Sequence, residues 1–416
     1  MPNRRTLVLL TKQFPFQHRE QYVAHELPFL AAQFDRVIIY PHDHFTQNDH
    51  ITFELPQNAE VWDLNHEVPS VSKWNILPAF LRAYFYELFR THNRRWWLGN
   101  FRRFMAIYFT QFALGERLLN ALKSSSEQDE EFVFYSYWFS ASALCLSILK
   151  SRGRIAGFTS RAHALDCYHE SWGLLNERTQ VLPFRHLKQR EVTSLRPISE
   201  HAAQFLLQSP ECRGKVHVAY LGVEPGKRNP LAMAGEAMTI ATCSGVDNNK
   251  RIHLLGQALK ALDKPVHWIH FGDGPMRDAA MQSVEGSTVV LEYRGQTSNA
   301  EIRRFYEQRH IDLFVNVSQV EGLPVTIMEA LAHGIPVLAT GINGTPETIV
   351  HGANGWLVPV GISSEGLAKE MESALRALCT AEARDAAHAH YEQHFQARVN
   401  YGHFAQALAA DANLLP

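Results

Sequence analysis

Two glutamates with seven residues between them carry the most chemical promise in this chain. They bound the run Glu321-Gly-Leu-Pro-Val-Thr-Ile-Met-Glu329. The Gly-Leu-Pro turn inside the run predicts a helix start, because proline is favoured in a first helical turn. Just upstream, Ile311-Asp-Leu-Phe-Val-Asn-Val317 is short, apolar and rich in β-branched residues, the pattern of a buried strand. One acid therefore sits on a turn and the other inside a helix. The first backbone N–H groups of such a helix have no intrahelical partner and form a ready anion site. Carboxylates beside an anion site suit a ligand bearing both phosphates and hydroxyls, and a nucleotide-sugar is such a ligand. A lone helix glutamate is usually solvated. Glu329, however, lies among Val325, Ile327, Met328, Ala330, Leu331 and Ala332, which favours a ligand role.

The elements that must hold these acids follow from the alternation of strand and helix patterns, which predicts parallel α/β architecture. In the first half, strands are expected near 6–10, 36–41, 132–136, 155–160, 194–198 and 215–221, with helices near 20–33, 139–150 and 200–208. The Pro- and Gly-rich stretch Val223–Gly235 reads as a linker. Strands resume at Met238–Cys243 and near 266–271, 288–293, 311–317, 335–340 and 355–359. The expectation is two doubly wound, Rossmann-like domains. Residues 1–222 form an acceptor-side domain, 223–394 a nucleotide-sugar domain, and 395–416 a helix returning to the first domain. Ligands of such sheets bind beyond the carboxyl ends of the strands, here in a cleft between the domains.

Bulk composition narrows the function classes. The 416 residues are 46% hydrophobic and 20% charged, an ordinary globular balance. No apolar run approaches the length of a spanning helix. The N-terminal apolar run stops at Thr11-Lys12, which suits a first strand better than a signal peptide. Five scattered cysteines without a C-x-x-C pair suggest a cytoplasmic chain with neither disulfide framework nor zinc knuckle. Residues 1–222 carry 25 Lys/Arg against 21 Asp/Glu, and the remainder carries 15 against 21. That asymmetry is too mild for nucleic acid but suits a first half that meets something anionic.

One segment stands apart. Between residues 74 and 112, aromatic residues including Trp74, Phe85, Phe89, Trp96 and Trp97 are interleaved with Arg82, Arg90, Arg94, Arg95, Arg102 and Arg103, and Glu87 is the only acid. Such a mixture fits a membrane interface, with a peripheral contact on the inner face of the plasma membrane. It equally fits an insertion whose aromatics pack onto the first domain.

The second half, taken together, resembles the retaining glycosyltransferases of family four, which have the GT-B fold. The resemblance rests on Cys243-Ser-Gly-Val-Asp-Asn-Asn-Lys-Arg-Ile-His-Leu-Leu255, His267-Trp-Ile-His-Phe-Gly-Asp-Gly-Pro275, Asp312-Leu-Phe-Val-Asn-Val-Ser318, the two-glutamate run, Gly341–Val350 and Asn354–Pro359, in the family's order. In the first half, Thr11–Pro15, Gln21–Leu27, Tyr135–Trp138 and Arg161-Ala-His-Ala-Leu-Asp166 resemble members that build bacterial surface polysaccharides, of the colanic-acid type.

The resemblance implies a role for each matching residue. Glu329 would accept hydrogen bonds from the ribose hydroxyls, and Glu321 would hold the donor sugar. The backbone of Gly322 and Leu323 would face the sugar and the diphosphate. Lys250 would pair with the diphosphate and stabilise the leaving nucleotide. The family arginine about five residues before that lysine is replaced by Gly245, so Arg251 or another cation would supply the second charge. His163 would reach the sugar near the reacting carbon, and Asp166 would cap the following helix or orient His163. Ser318 would approach the phosphates, and the turn at Arg294-Gly295-Gln296 the base. The family's glycines near the first strand are missing from Phe14–Glu20, so Arg19 or Glu20 would meet the acceptor instead.

The implied activity is retaining transfer of a sugar from a UDP- or GDP-sugar to a glycan or lipid-linked acceptor in exopolysaccharide or lipopolysaccharide synthesis. No metal or other cofactor is expected. His388, His390 and His394, and His42 and His44 around Asp43, have metal-like spacing but no fourth ligand. Two rival readings share the fold: a nucleotide-sugar epimerase, and a non-catalytic subunit that binds sugar nucleotide or lipid.

Overall fold

A computed structural model describes residues 4–411 except 17–19, 45–48, 65–72, 92–93, 126–129, 169–182, 232–236 and 263. The chain forms two compact units, Met1–Ala219 with Tyr401–Pro416, and Tyr220–Asn400.

In the first unit the order is β1 (Arg4–Thr11), α1 (Gln21–Ala31), β2 (Arg36–Pro41), β3 (Ala59–Val61), α2 (Lys73–Arg90), α3 (Arg94–Gly99), α4 (Phe101–Ser125) and β4 (Glu130–Ser136). Then come α5 (Ala141–Ser151), β5 (Thr159–Ala162), α6 (Ala164–Tyr168), α7 (Arg185–Glu191), β6 (Ser194–Pro197) and α8 (Glu200–Leu207). The strands pair in parallel in the order β3-β2-β1-β4-β5-β6. Leu7 to Leu10 of β1 and Val37 to Tyr40 of β2 are all buried. Helices on both faces explain why these strands are apolar without alternation.

Three readings are corrected. The short edge strand β3 was not expected, because only three residues pair there. The fifth strand runs over Thr159–Ala162 and not 155–160. Residues 215–221 make a single bridge, Val216 to Leu195, instead of a full strand. The chain there still lies along β6, with Leu195 N–H donating to Lys215 O and Ala219 N–H to Pro197 O.

The second unit has β7 (Met238–Cys243), α9 (Ile252–Lys260), β8 (Val266–Phe271), α10 (Arg277–Gln282), β9 (Val290–Tyr293), α11 (Asn299–Gln308), β10 (Leu313–Asn316), α12 (Val325–Ala332), β11 (Val337–Thr340) and β12 (Gly355–Val358). Helices α13 (Ser364–Leu378), α14 (Ala381–His394) and α15 (Ala397–Asp411) follow. Its sheet is also parallel, in the order β12-β11-β10-β7-β8-β9. Both sheets thus have the doubly wound order, in which the direction of winding reverses between the first and fourth strands of each sheet. The crevice at that reversal is where such sheets bind ligands. In the second unit it lies between the ends of β7 and β10.

The last part of α15 belongs to the first unit, where Phe404, Ala405, Leu408 and Ala409 are buried against Leu7, Leu9 and Tyr135. Phe404 also covers the Arg161 guanidinium at 4.2 Å. That guanidinium is fully buried and donates to Glu26 at 2.9 Å, while Tyr135 Oη donates to the same carboxylate at 2.8 Å. Removing residues 401–416 would expose this pair and one side of the core. The shortened protein is expected to be insoluble or molten, which near-ultraviolet circular dichroism and solubility on expression would report. Breaking the pair alone, by Glu26→Ala, is expected to cost about 3–5 kcal/mol.

Candidate active site

In the second unit the loops after β7 and β10 are stitched side by side. Asn249 makes most of the seam. Its Nδ2 donates to Val320 O at 3.1 Å, its Oδ1 accepts Val320 N–H at 2.8 Å, and its own carbonyl accepts Gln319 N–H at 2.8 Å. The Lys250 N–H is held by Asp247 Oδ1 at 2.9 Å. These bonds place the Lys250 ammonium 2.6 Å from Glu321 Oε1, and Asn316 Nδ2 reaches the same oxygen at 3.3 Å. Two residues 71 positions apart in sequence therefore form one charged pair at the switch point. The pair leaves other donor positions on the ammonium and the second carboxylate oxygen for a ligand.

Gly322 and Leu323 follow at the entry to α12, both buried. Among the described residues their N–H groups have no backbone acceptor. Ser318 is buried at the end of β10, its N–H on Asn316 Oδ1 at 3.1 Å and its carbonyl accepting from Thr340 Oγ1 at 2.6 Å. One and a half turns into α12, Glu329 is buried and accepts a hydrogen bond from Asn299 Nδ2. Burial pushes its carboxyl up to about 7, against the smaller opposing effects of Asn299 and Arg303.

Arg251 takes a different role from the one expected. It adopts the left-handed region at φ 50° and is buried. Its Nε donates to Val317 O at 2.6 Å and its Nη1 to Val360 O at 2.5 Å. It ties two loops together through their carbonyls, while its Nη2 has no partner among the described residues. Position 245 itself is open, since a Cβ there would lie no closer than 3.9 Å to any atom, at Asp247 Oδ2 and Asp273 O. The Gly-Asp-Gly turn after β8 is the opposite case. Gly272 has φ 121°, and a Cβ on it would meet Ser244 O at 1.9 Å. Gly272→Ala is expected to destabilise the fold by about 3 kcal/mol or more, through strain and a backbone clash, and chemical denaturation reads this directly.

Arg294 ends β9. Its guanidinium lies 5.1 Å above the Phe305 ring, and its Nη1 donates to Glu292 at 2.6 Å. The backbone of its turn is fixed by Gly272 N–H donating to Gly295 O at 2.8 Å.

His163, Asp166 and Glu20 stand in the first unit. His163 stacks on Tyr137 at 5.0 Å and lies 4.4 Å from Trp138. Burial, with Arg161 adding to it, lowers the imidazole to about 3, so it is neutral. Its Nε2 lies 3.1 Å from Tyr137 O. A carbonyl only accepts, so Nε2 carries the proton and Nδ1 is the acceptor. Asp166 accepts the His163 N–H at 2.9 Å, as a first-turn acid reaching back to the residue before its helix. Burial raises this carboxyl above its usual range.

Glu20 does not face an acceptor. Both its oxygens are consumed: Oε2 by Gln13 N–H at 2.6 Å and Phe14 N–H at 2.8 Å, and Oε1 by Lys12 N–H at 3.3 Å and the Trp138 indole. A carboxylate thus occupies the backbone donors that a glycine loop would have offered to phosphate. Arg19 lies outside the described residues.

Among the described residues no three His, Cys, Asp or Glu side chains converge as metal ligands. His388 and His390 bond backbone carbonyls of Ala332 and Glu347, and His44 lies between Asp49 and Asp63.

Two working residues were missed. Asn249 carries no signal in its type alone. Asn299 had one: Ser298 and Glu301 form a capping box, Ser-x-x-Glu, that starts α11 and puts Asn299 in its first turn.

Residues 237–377 match the family model described as glycosyl transferases group 1. Over 266 residues the chain is 24% identical to the amylovoran biosynthesis glycosyltransferase AmsK of Erwinia amylovora, covering 60% of this chain and 61% of that protein. Over 174 residues it is 28% identical to the putative colanic acid biosynthesis glycosyltransferase WcaL of Escherichia coli, covering 39% and 43% of the two chains. The chain thus matches less than two thirds of the length of these relatives. Among solved structures, the lipopolysaccharide outer core galactosyltransferase WaaB superposes with a TM-score of 0.65 at 14% identity, over 98% of this chain and 99% of that one. Anabaena HepE in complex with UDP and glucose gives 0.65 at 16% identity, over 97% and 99%. At such identities the likeness is one of fold. Residues 237–377 thus resemble the glycosyl transferases group 1 family, and the chain that carries them has the two-unit α/β fold of the GT-B glycosyltransferases.

Proposed function

We propose that this chain is a retaining glycosyltransferase. It moves a hexose from a UDP- or GDP-sugar to a glycan or lipid-linked acceptor in the synthesis of a bacterial exopolysaccharide or lipopolysaccharide. It works in the cytoplasm at the inner face of the plasma membrane, without a metal or other cofactor. The observation that carries this reading is the grouping of Lys250, Glu321, Glu329 and the N–H groups of Gly322 and Leu323, which have no backbone acceptor among the described residues, around the start of one helix.

In this reading the donor diphosphate lies against the Lys250 ammonium and those N–H groups. The ribose hydroxyls donate to Glu329, and hydroxyls of the sugar donate to Glu321. The bond from the anomeric carbon to the phosphate oxygen breaks as the bond to the acceptor oxygen forms. The acceptor proton passes to the departing phosphate on the same face, which retains configuration. Lys250 offsets the negative charge that grows on the leaving group. His163, in the first unit, offers Nδ1 as an acceptor for a substrate hydroxyl, since its proton is on Nε2. The AmsK and WcaL relatives carry polysaccharide-biosynthesis names, and HepE is described with UDP and glucose. Both support the choice of donor and pathway class.

A thermal-shift panel of UDP-, GDP- and ADP-sugars identifies the donor, because a ligand of the folded state raises apparent stability. Transfer to polyprenyl-linked acceptors is then followed by NMR of the new anomeric centre. An inverted product defeats the retaining reading. Epimerised nucleotide-sugar formed without acceptor assigns the protein to the isomerases, and intact donor with true acceptor assigns it to the binding subunits.

A further inference from the structure

The segment after β3 divides its aromatic residues between two faces. Along α2, Ile76, Phe80, Ala83, Tyr84 and Leu88 are buried against α4 and α7. Packing therefore accounts for most of the aromatic excess. The opposite face keeps Trp74, Pro78, Arg82, Phe85 and Phe89, recurring every three or four residues, all exposed. Trp74 is 82% exposed, Phe89 67%, Phe85 47%, and Leu98 of the adjoining α3 60%. Trp74, Phe85 and Phe89 are the largest apolar side chains that the described part of the first unit leaves exposed, and they form one stripe along α2.

The same segment carries Arg82, Arg90, Arg94, Arg95, Arg102 and Arg103, all exposed. Among the described residues, two acids contact this segment. Glu87 is buried and accepts from Leu187 N–H at 2.6 Å and pairs with His186. Glu211 takes Arg90 at 3.1 Å and the Tyr86 hydroxyl at 3.0 Å. The face thus presents indole and phenyl rings in a field of positive charge. A second copy of the chain would set arginines against arginines across a two-fold axis, so self-association is disfavoured. Among the described residues no helix is long and apolar enough to cross a bilayer.

We propose that the exposed face of α2 and α3 docks on an anionic lipid surface. The rings enter the headgroup boundary while the arginines meet lipid phosphates. This deepens the placement at the inner membrane face given above and rests on that placement, but not on the donor assignment. It also separates the two readings of the segment: one face packs and the other binds lipid.

The test is co-sedimentation of the full-length protein with vesicles of equal parts phosphatidylcholine and phosphatidylglycerol, and with vesicles of phosphatidylcholine alone. Wild type is expected to bind the anionic vesicles and to be released by high salt. The triple variant Trp74→Ser, Phe85→Ser, Phe89→Ser is expected to lose at least about tenfold in partitioning. Reversing Arg94 and Arg95 to glutamate should lose about fivefold or more per charge. Nucleotide-sugar binding by calorimetry should be unchanged in both variants, which also shows that they fold. Three results overturn the proposal: no binding of wild type to anionic vesicles, equal binding by the triple variant, or equal binding to phosphatidylcholine alone. A wild-type dimer that the triple variant converts to monomer overturns it too, by giving the face to a second copy. Failure to bind any nucleotide-sugar while vesicle binding persists defeats the functional reading and leaves this one standing.

Discussion

Glu329→Ala is expected to weaken nucleotide-sugar binding by at least about 100-fold, because two charge-assisted hydrogen bonds at roughly 1.5–3 kcal/mol each are lost. The structure adds a pH signature. The buried carboxyl titrates near 7 instead of the usual 4.5, because burial disfavours its charged form. A ligand whose hydroxyls donate to this group binds the carboxylate in preference to the acid. Donor affinity is therefore expected to climb from pH 5.5 toward 7, with a limiting slope of about tenfold per pH unit, and to level off above. Nucleotide-sugars are phosphodiesters without a proton in this range, so the slope reports the protein. Glu329→Gln should flatten the profile. Calorimetric titration across this range checks it, and an unchanged affinity in Glu329→Ala would sink the ribose assignment.

The same shift runs in the opposite direction for stability without ligand. A raised carboxyl holds its proton more tightly when folded than when unfolded. Its contribution is fully present below pH 4.5 and is lost as pH rises through about 7. The loss amounts to about 3 kcal/mol in total. Donor binding should recover part of it at neutral pH, so the donor-induced rise in Tm should be larger at pH 8 than at pH 5.5.

Lys250→Ala is expected to lower kcat by about 10²–10³-fold, the scale seen when one preorganised group facing developing charge is removed. Two effects act together. The leaving diphosphate loses its cation, and Glu321, now without its ammonium at 2.6 Å, becomes an uncompensated negative charge in its path. Glu321→Gln in the Lys250→Ala background should therefore recover activity partly, a non-additivity that a double-mutant cycle measures. Position 245 offers a second rescue. No atom stands within 3.9 Å of a Cβ there, so Gly245→Arg can bring a guanidinium to the same loop and should lower the donor KM in both backgrounds. Steady-state kinetics with the donor found by the thermal-shift panel separates these outcomes. Full activity of Lys250→Ala would remove the lysine from the mechanism.

The strands were legible because each is a short, unalternated apolar run ended by a turn signal, and burial on both faces of a parallel sheet requires that pattern. The strand-turn-helix at Ile311–Glu329 was legible for the same reason, and with it the placing of Glu321 on a turn and Glu329 in a helix. The strand at 215–221 was not, since an extended segment and a paired strand have the same local pattern. The aromatic segment at 74–112 showed its excess of rings but not their division, because helical spacing alone does not say which face meets a neighbour.

By itself the amino-acid sequence determined the fold class, the identity of the ionisable groups and their order along the chain. Those depend on local periodicity and residue type. Only the tertiary structure decided which charges meet. Lys250 and Glu321 pair because β7 and β10 are neighbours in a sheet whose order no local pattern encodes. Arg251, one residue along, turns inward to two carbonyls, and Glu20 is consumed by the N–H groups of its own loop. Charge, type and spacing are the same for a group that holds a ligand and for one that holds a loop. The difference lies in which donors and acceptors the fold brings within hydrogen-bond reach, and that is a property of contacts between residues far apart in the chain.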